Sequence, residues 1–357
     1  MSSATQRKRN FTFESLENKE VLAGNVVAAL AGNQLIIDGD AAGNEIHIVE
    51  IAPNTIEVTG LGGTTVNGAA AGVFAAPLIE DISVNLHDGN DILRIRNVSL
   101  TDNNDGELKI RTENGDDVVE LMGVSTTRMI GIDTGNHNDR LIARNTKTAD
   151  YFTQTGNGHD TTILDRFFAD HVESRSMDGH DRIQLYRGES ANDIKVDSGT
   201  ENDLVALRMV KAGNDLKINT EHGSDRVYAS NIRVGHDVMI DTGTHKDRVA
   251  IRGLGAGNNV TVKLGSGHDS LYTQKVKAQN IYADAGNGND SVKMIENHAA
   301  QDLHAYLGKG NDKFWIEGSS AVNPHFDGGL GWDRFYIQPN LFPSPSPFYS
   351  VAFEVYI

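Results

Sequence analysis

The chain has no cysteine among its 357 residues. That excludes a disulfide framework, a thiolate metal site and a cysteine nucleophile. No apolar run approaches the roughly 20 residues of a membrane-spanning helix. A simple cleavable export signal is also missing. Arg7, Lys8 and Arg9 supply a basic start, but the longest apolar candidate, Val26 to Ala31, is too short and too late. Positive charge is scarce: 32 Lys and Arg stand against 49 Asp and Glu, a net charge of −17. This balance argues against nucleic acid as a partner, since phosphate binding needs concentrated Lys and Arg. Cations and basic surfaces are better electrostatic matches.

What is present is a beat. A stretch like Gly286 to Asp290 (Gly-Asn-Gly-Asn-Asp) returns a dozen times. Its last Asp falls at Asp91, Asp117, Asp139, Asp160, Asp181, Asp203, Asp225, Asp247, Asp269, Asp290, Asp312 and Asp333. After a first step of 26 residues, every step is 21 or 22. Such a period marks a solenoid. We number positions from each of these Asp marks.

Positions +2 and +4 are apolar in all coils but one each, from Leu93 and Ile95 to Phe335 and Ile337. A spacing of two places both on one strand face. A second strand precedes each mark, with Ile82, Leu108, Ile130 and their equivalents at −9. The fold class expected is therefore all-β: a right-handed parallel β-helix or β-roll-like solenoid. Two inward-facing strands per coil meet across a thin core. Twelve regular coils make a rod on the order of 55–60 Å long. Residues 25–338 form this body, regular over 81–338, with a degenerate first coil marked by Asn44. The Gly- and Ala-rich segment Gly60 to Ala76 reads as a looped-out turn. Residues 1–24 read as a short helical cap or a targeting tail. Residues 339–357, proline-rich and then alternating, read as a strand folded back over the last coil, or as an export signal. An Asx column at −10 (Asp150, Asp193, Asp215, Asp237, Asn259) reads as structural, its side chains bonding to NH groups two residues on.

Stacked Asp marks about 5 Å apart repel by roughly 3 kcal/mol per pair at an effective dielectric of about 20. Three remedies exist: cations in the column, pairing with the bases that follow the marks (Arg140, Arg182, Arg226, Arg248, Lys313, Arg334), or bonds to backbone NH with the carboxylates spread into water. In the best copies the turn reads Gly-x-Gly-x-Asp, and its carbonyls and carboxylates are hard oxygen ligands.

This motif resembles the nonapeptide of RTX (haemolysin-type) calcium-binding repeats, and Gly328 to Asp333 matches it in full. The resemblance covers about 81–338. It implies a Ca²⁺-bound β-roll in a secreted bacterial protein. It maps carboxylate ligands onto Asp91, Asp160, Asp247, Asp269, Asp290, Asp312 and Asp333. It maps carbonyl ligands onto Gly156, Gly158, Gly265, Gly267, Gly286, Gly288, Gly308, Gly310, Gly329 and Gly331. The sequence departs from the pattern. Thr or Ser replaces the first Gly in seven successive coils, from Thr112 to Thr242, which suggests an inward hydroxyl ladder. The second Gly is lost at His87, Glu113, Met177 and Glu221, and the third at His137, Glu201 and His245. Phe13 to Gly24, after the basic start, resembles the N-terminus of predicted planctomycete surface proteins, with Lys19 where Arg is usual. It implies export to the envelope.

The function expected is an exported or cell-surface structural or adhesive repeat protein, with calcium in some turns and polysaccharide or other envelope components as partners. The alternative from a different class is a polysaccharide lyase or hydrolase on a β-helix. Near-constant coil lengths count against it, because a catalytic cleft needs long loops. His137, His159 and His180 near one turn make a conceivable transition-metal site, with solvated histidines as the plainer reading. Tyr228, Tyr272, Trp315 and Tyr336 are candidate sugar contacts or ordinary outer-strand side chains.

Overall fold

The computed structural model describes residues 24–101, 105–338, 349–351 and 355–356. The expected N-terminal helix lies outside these residues, apart from Gly24. Among the described residues there is no helix, and so none long and apolar enough to cross a membrane.

The chain is an all-β parallel solenoid of about twelve turns. Pre-mark strands such as Asp81–Asn85, Glu107–Arg111 and Met129–Asp133 pair in parallel and in register, Ile82 beside Leu108 beside Ile130. Post-mark strands such as Ile92–Arg96, Val118–Met122 and Arg140–Lys147 form the second stack, Leu93 beside Val119 beside Leu141. The +2 and +4 columns and the −9 and −7 columns meet in one continuous core. Near the C-terminal end this core becomes aromatic, with Phe314 stacked on Phe335 at 5.2 Å.

The eleven coils marked Asp91 to Asp312 also have a third short segment that the sequence reading lacks. In several coils it is a two-residue strand, as at Ser99–Leu100, Lys211–Ala212 and Lys277–Ala278. In others it continues the post-mark strand, as in Arg226–Val234. It buries positions +7 and +9, for example Val98 with Leu100, and Val210 with Ala212. The chain bends into it at +6, where φ lies between 50° and 66° in eleven coils. Gly fills only three of these positions; Arg166, Arg187, Met209, Lys275 and Glu296 are among the rest.

Both ends differ from expectation. The first coil is present: Gln34–Asp38 pairs with Asp81–Asn85, and Glu45–Ala52 with Ile92–Arg96. Antiparallel strands cover it. Asn25–Ala31 pairs with Gln34–Asp38, and Thr55–Leu61 lies between Glu45–Ala52 and Ala71–Ala75. Gly60 to Ala76 is thus part of a meander rather than a loop. An uncovered strand edge invites further pairing, and this hairpin set protects it. At the other end the tail does not fold back as one strand. Tyr349–Val351 and Val355–Tyr356 each pair in parallel with the last coil, one on each sheet.

Candidate functional site: the aspartate edge

The turn before each mark is built from hydrogen bonds between coils. Each Asp mark accepts the backbone NH of the mark one coil earlier through Oδ1. The series starts at Asn44 NH to Asp91 and ends at Asp312 NH to Asp333, at 2.6–2.9 Å. The carboxylates do not spread into water: all twelve are at most 3% exposed. From Asp91 to Asp312, Oδ2 is buried and has no hydrogen-bond partner.

Burial is the largest influence on these carboxyls, and it raises their pKa. Asp117, Asp181, Asp225, Asp269 and Asp290 are pushed up to about 6. Asp91, Asp160 and Asp312 reach about 7. Asp139, Asp203 and Asp247, each beside two charged neighbours, reach about 8. The NH bond to each Oδ1 pulls the other way, as it favours the charged form. The bases that follow the marks give no relief. Arg140, Arg182, Arg226 and Arg248 are exposed, and among the described residues none forms an ion pair with its mark.

The hydroxyl column is present, inward and buried. Thr112 and Ser176 donate to the carbonyls of Thr134 and Ser198 in the next coil, at 3.0 and 3.2 Å. These hydroxyls also lower the pKa of the mark in their own coil, as Thr112 does for Asp117. The column stops at Thr242; Leu264, Ala285 and Leu307 follow, all buried.

Two further ladders escaped the sequence reading. At −1, nine side chains accept the NH of the same position one coil later, from Asn90 with Asp116 NH to Asn311 with Trp332 NH. This exposed ladder runs along the rod opposite to the buried one. At −3, Asn157, Asn136, Asn114 and Asp88 link side chain to side chain at 2.6–3.0 Å. The −10 column is structural as expected, but its bonds also run between coils. Asp193 accepts Asp215 NH, and Asp237 accepts Asn259 NH, instead of an NH two residues on.

The predicted ligand glycines have other occupations. At −4, the carbonyls of Gly156, Gly265, Gly286 and Gly308 accept backbone NH groups of the next coil at 2.7–3.0 Å. Gly329 keeps the same positive φ in the last regular turn. At −2, Gly158, Gly267, Gly288, Gly310 and Gly331 lie under the previous coil's carbonyl; a Cβ on Gly288 would stand 1.3 Å from the Gly267 oxygen. Non-glycine residues at these places take the left-handed conformation too: Glu113 and Glu221 at −4, His137, Glu201 and His245 at −2. No turn loses both glycines.

Calcium takes six to eight oxygen ligands at about 2.3–2.6 Å. Here Oδ1 and the −4 carbonyls are already bonded to NH groups. From Asp91 to Asp312 the Oδ2 atoms are buried. Among the described residues no three His, Asp or Glu converge as a metal site. The turn therefore fits a hydrogen-bonded ladder better than the calcium site that the resemblance implies. The histidines separate likewise. His159 and His180 stack at 5.0 Å, and each Nδ1 accepts a backbone NH, whereas His137 Nδ1 contacts the carbonyl of Asn136.

Comparison with protein-family models, curated proteins and solved structures found no match. The repeat, the register and the ladders together make the chain a parallel β-solenoid repeat protein.

Proposed function

We propose that this chain is an exported structural rod, a rigid spacer or adhesive stalk at the cell surface. One observation carries the reading: the register is unbroken from the first coil to the last. Four side-chain ladders at −10, −3, −1 and the mark tie coil to coil along two edges. Neither edge bears a long loop around a cleft over 107–338. In repeat proteins each unit contacts only its neighbours, so such bonds set stiffness along the axis. The antiparallel meander covers the strand edges of the first coil, which keeps them from recruiting another strand.

In this reading the aspartate column is internal scaffolding and needs no calcium. Melting at pH 7 in Ca²⁺ and then in chelator should give superimposable curves, with no bound calcium by calorimetry. A calcium-dependent rise in melting temperature would sink this part of the proposal. For the rod itself, solution scattering should give an elongated particle, and protease or antibody should reach it on intact cells. A globular profile, or protection until lysis, would count against it.

A further inference from the structure

We infer that the outer face of the post-mark strands, across the coils marked Asp203 to Asp269, binds an acidic polysaccharide. The inference goes beyond the rod reading and does not rest on it. Its basis is a local reversal of charge. The second halves of four successive coils, 204–214, 226–236, 248–258 and 270–280, hold eight Lys and Arg and no Asp or Glu. The chain as a whole carries −17.

The fold brings these cations to one side. Lys211 and Arg233 are register partners, and Gly255 pairs with Lys277. Arg208 and Arg252 lie on the adjacent +5 column, either side of Ser230. All of these cations are exposed. An open groove of about 700 Å³ runs beneath Lys211, Arg233 and Lys277. It meets a second hollow, beside Arg208 and Tyr228, through Arg187 and Met209. Counter-charges come from the flanking coils, and one of them, Glu189, lines the groove. Arg187 bonds Asp165 at 2.8 Å, Lys211 reaches Glu189, and Lys275 lies 3.5 Å from Glu296. Arg208, Arg233, Arg252 and Lys277 have no ion-pair partner among the described residues. Ala206, Ala250, Gly253 and Gly255 keep the floor low.

This arrangement suits a linear polymer with widely spaced carboxylate or sulfate groups, laid along the axis. Cations recur at intervals of one or two coils, and a coil is about 4.8 Å tall. The exposed Tyr228 and Met209 offer apolar surface to a sugar ring. Single-stranded nucleic acid wants a succession of open aromatic faces; here Tyr228 is open, but Arg252 covers the ring of Tyr272 at 5.1 Å. The acidic remainder of the rod would repel a duplex reaching past the groove. With no carboxylate in the four segments, the face is equipped to bind, not for carboxylate acid–base chemistry.

The test is affinity electrophoresis of the full chain in gels holding polygalacturonate, dextran sulfate, neutral dextran or oligo-dT. Wild type should be retarded by one or both acidic polysaccharides and not by neutral dextran. The triple variant Lys211→Glu, Arg233→Glu, Lys277→Glu should bind at least tenfold more weakly. A control triple on the opposite sheet, Lys195→Glu, Lys217→Glu, Lys263→Glu, has the same net charge and should behave as wild type. Circular dichroism checks that both variants fold. No retardation by either acidic polymer, equal loss in both triples, no loss in the first, or tighter binding of oligo-dT would overturn the inference. Scattering on the same samples separates this outcome from failure of the rod reading.

Discussion

Raising the pH from 4 to 9 should weaken this rod. The sign follows from the aspartate column. An ordinary Asp has a pKa of 3.8, and eleven marks in the fold stand at about 6 to 8. Between those values the folded chain holds more protons than the unfolded one, so stability falls with pH. The contribution is complete below about pH 4 and is lost as pH passes through 6 to 8. His47 and His304, whose burial lowers their pKa, run the other way but are few. For Asp117 alone, a rise of about two pKa units corresponds to about 3 kcal/mol. Eleven such losses would exceed the roughly 5–15 kcal/mol of a typical domain. The folded column therefore keeps some of its protons near neutrality. A net loss of about 5 kcal/mol lowers the melting temperature of a body of some 300 residues by about 8 °C, at roughly 2.1 cal/mol/K per residue. Thermal melts by circular dichroism at half-unit pH steps measure this. Asp203→Asn sharpens the test. Asn44 shows that an amide fits the mark, since its Nδ2 donates to the carbonyl of Ala42 at 2.6 Å. The variant should melt close to wild type at pH 4 and above it by pH 9, because Asn never carries the buried charge that Asp203 acquires. A melting temperature that is flat or rises from pH 5 to 9 would refute the reasoning.

Three further outcomes follow from the turns and the core. Gly288→Ala places a methyl against the Gly267 carbonyl at a φ of 145°, and should cost about 3 kcal/mol or more in urea unfolding. Glu201→Gly relieves a left-handed residue at φ 77° and should raise stability by about 1 kcal/mol, a small but measurable shift of the same midpoint. Tyr151 is 1% exposed and its hydroxyl meets only the Thr146 hydroxyl, without a well-formed hydrogen bond, so Tyr151→Phe should be neutral or raise the melting temperature. A clear drop would mean that the hydroxyl has a partner after all.

The sequence shows its core plainly because the core is periodic. Leu93 and Ile95 recur as Val119 and Leu121, and only an inward strand face explains a spacing of two. The third segment is harder to see. It contributes only +7 and +9, and +7 ranges from Phe167 to Gly188 to Ser319. The bend before it carries Arg166, Met209 and Lys275, none of which announces a positive φ. The aspartate column was visible as a column but not in its partner, because the bond goes to a backbone NH some 22 residues earlier. The −1 ladder hides for a different reason. Asn90, Asp116 and His159 share no residue type, only an acceptor atom at the right reach. The meander at Thr55–Leu61 and Ala71–Ala75 depends on antiparallel pairing, and a parallel beat says nothing about that.

Where both ladders run, pointing in opposite directions, each coil is donor and acceptor to each neighbour; the exposed one lapses at Ser224 and Lys246. Most interior coils therefore offer the same sockets above and below. A block between two marks could be removed or duplicated, and the severed ends would meet partners of the same kind. Gene duplication would then lengthen or shorten the rod in steps of one coil, leaving the terminal meander and tail untouched. Reach becomes a heritable quantity, adjustable without redesign of the parts.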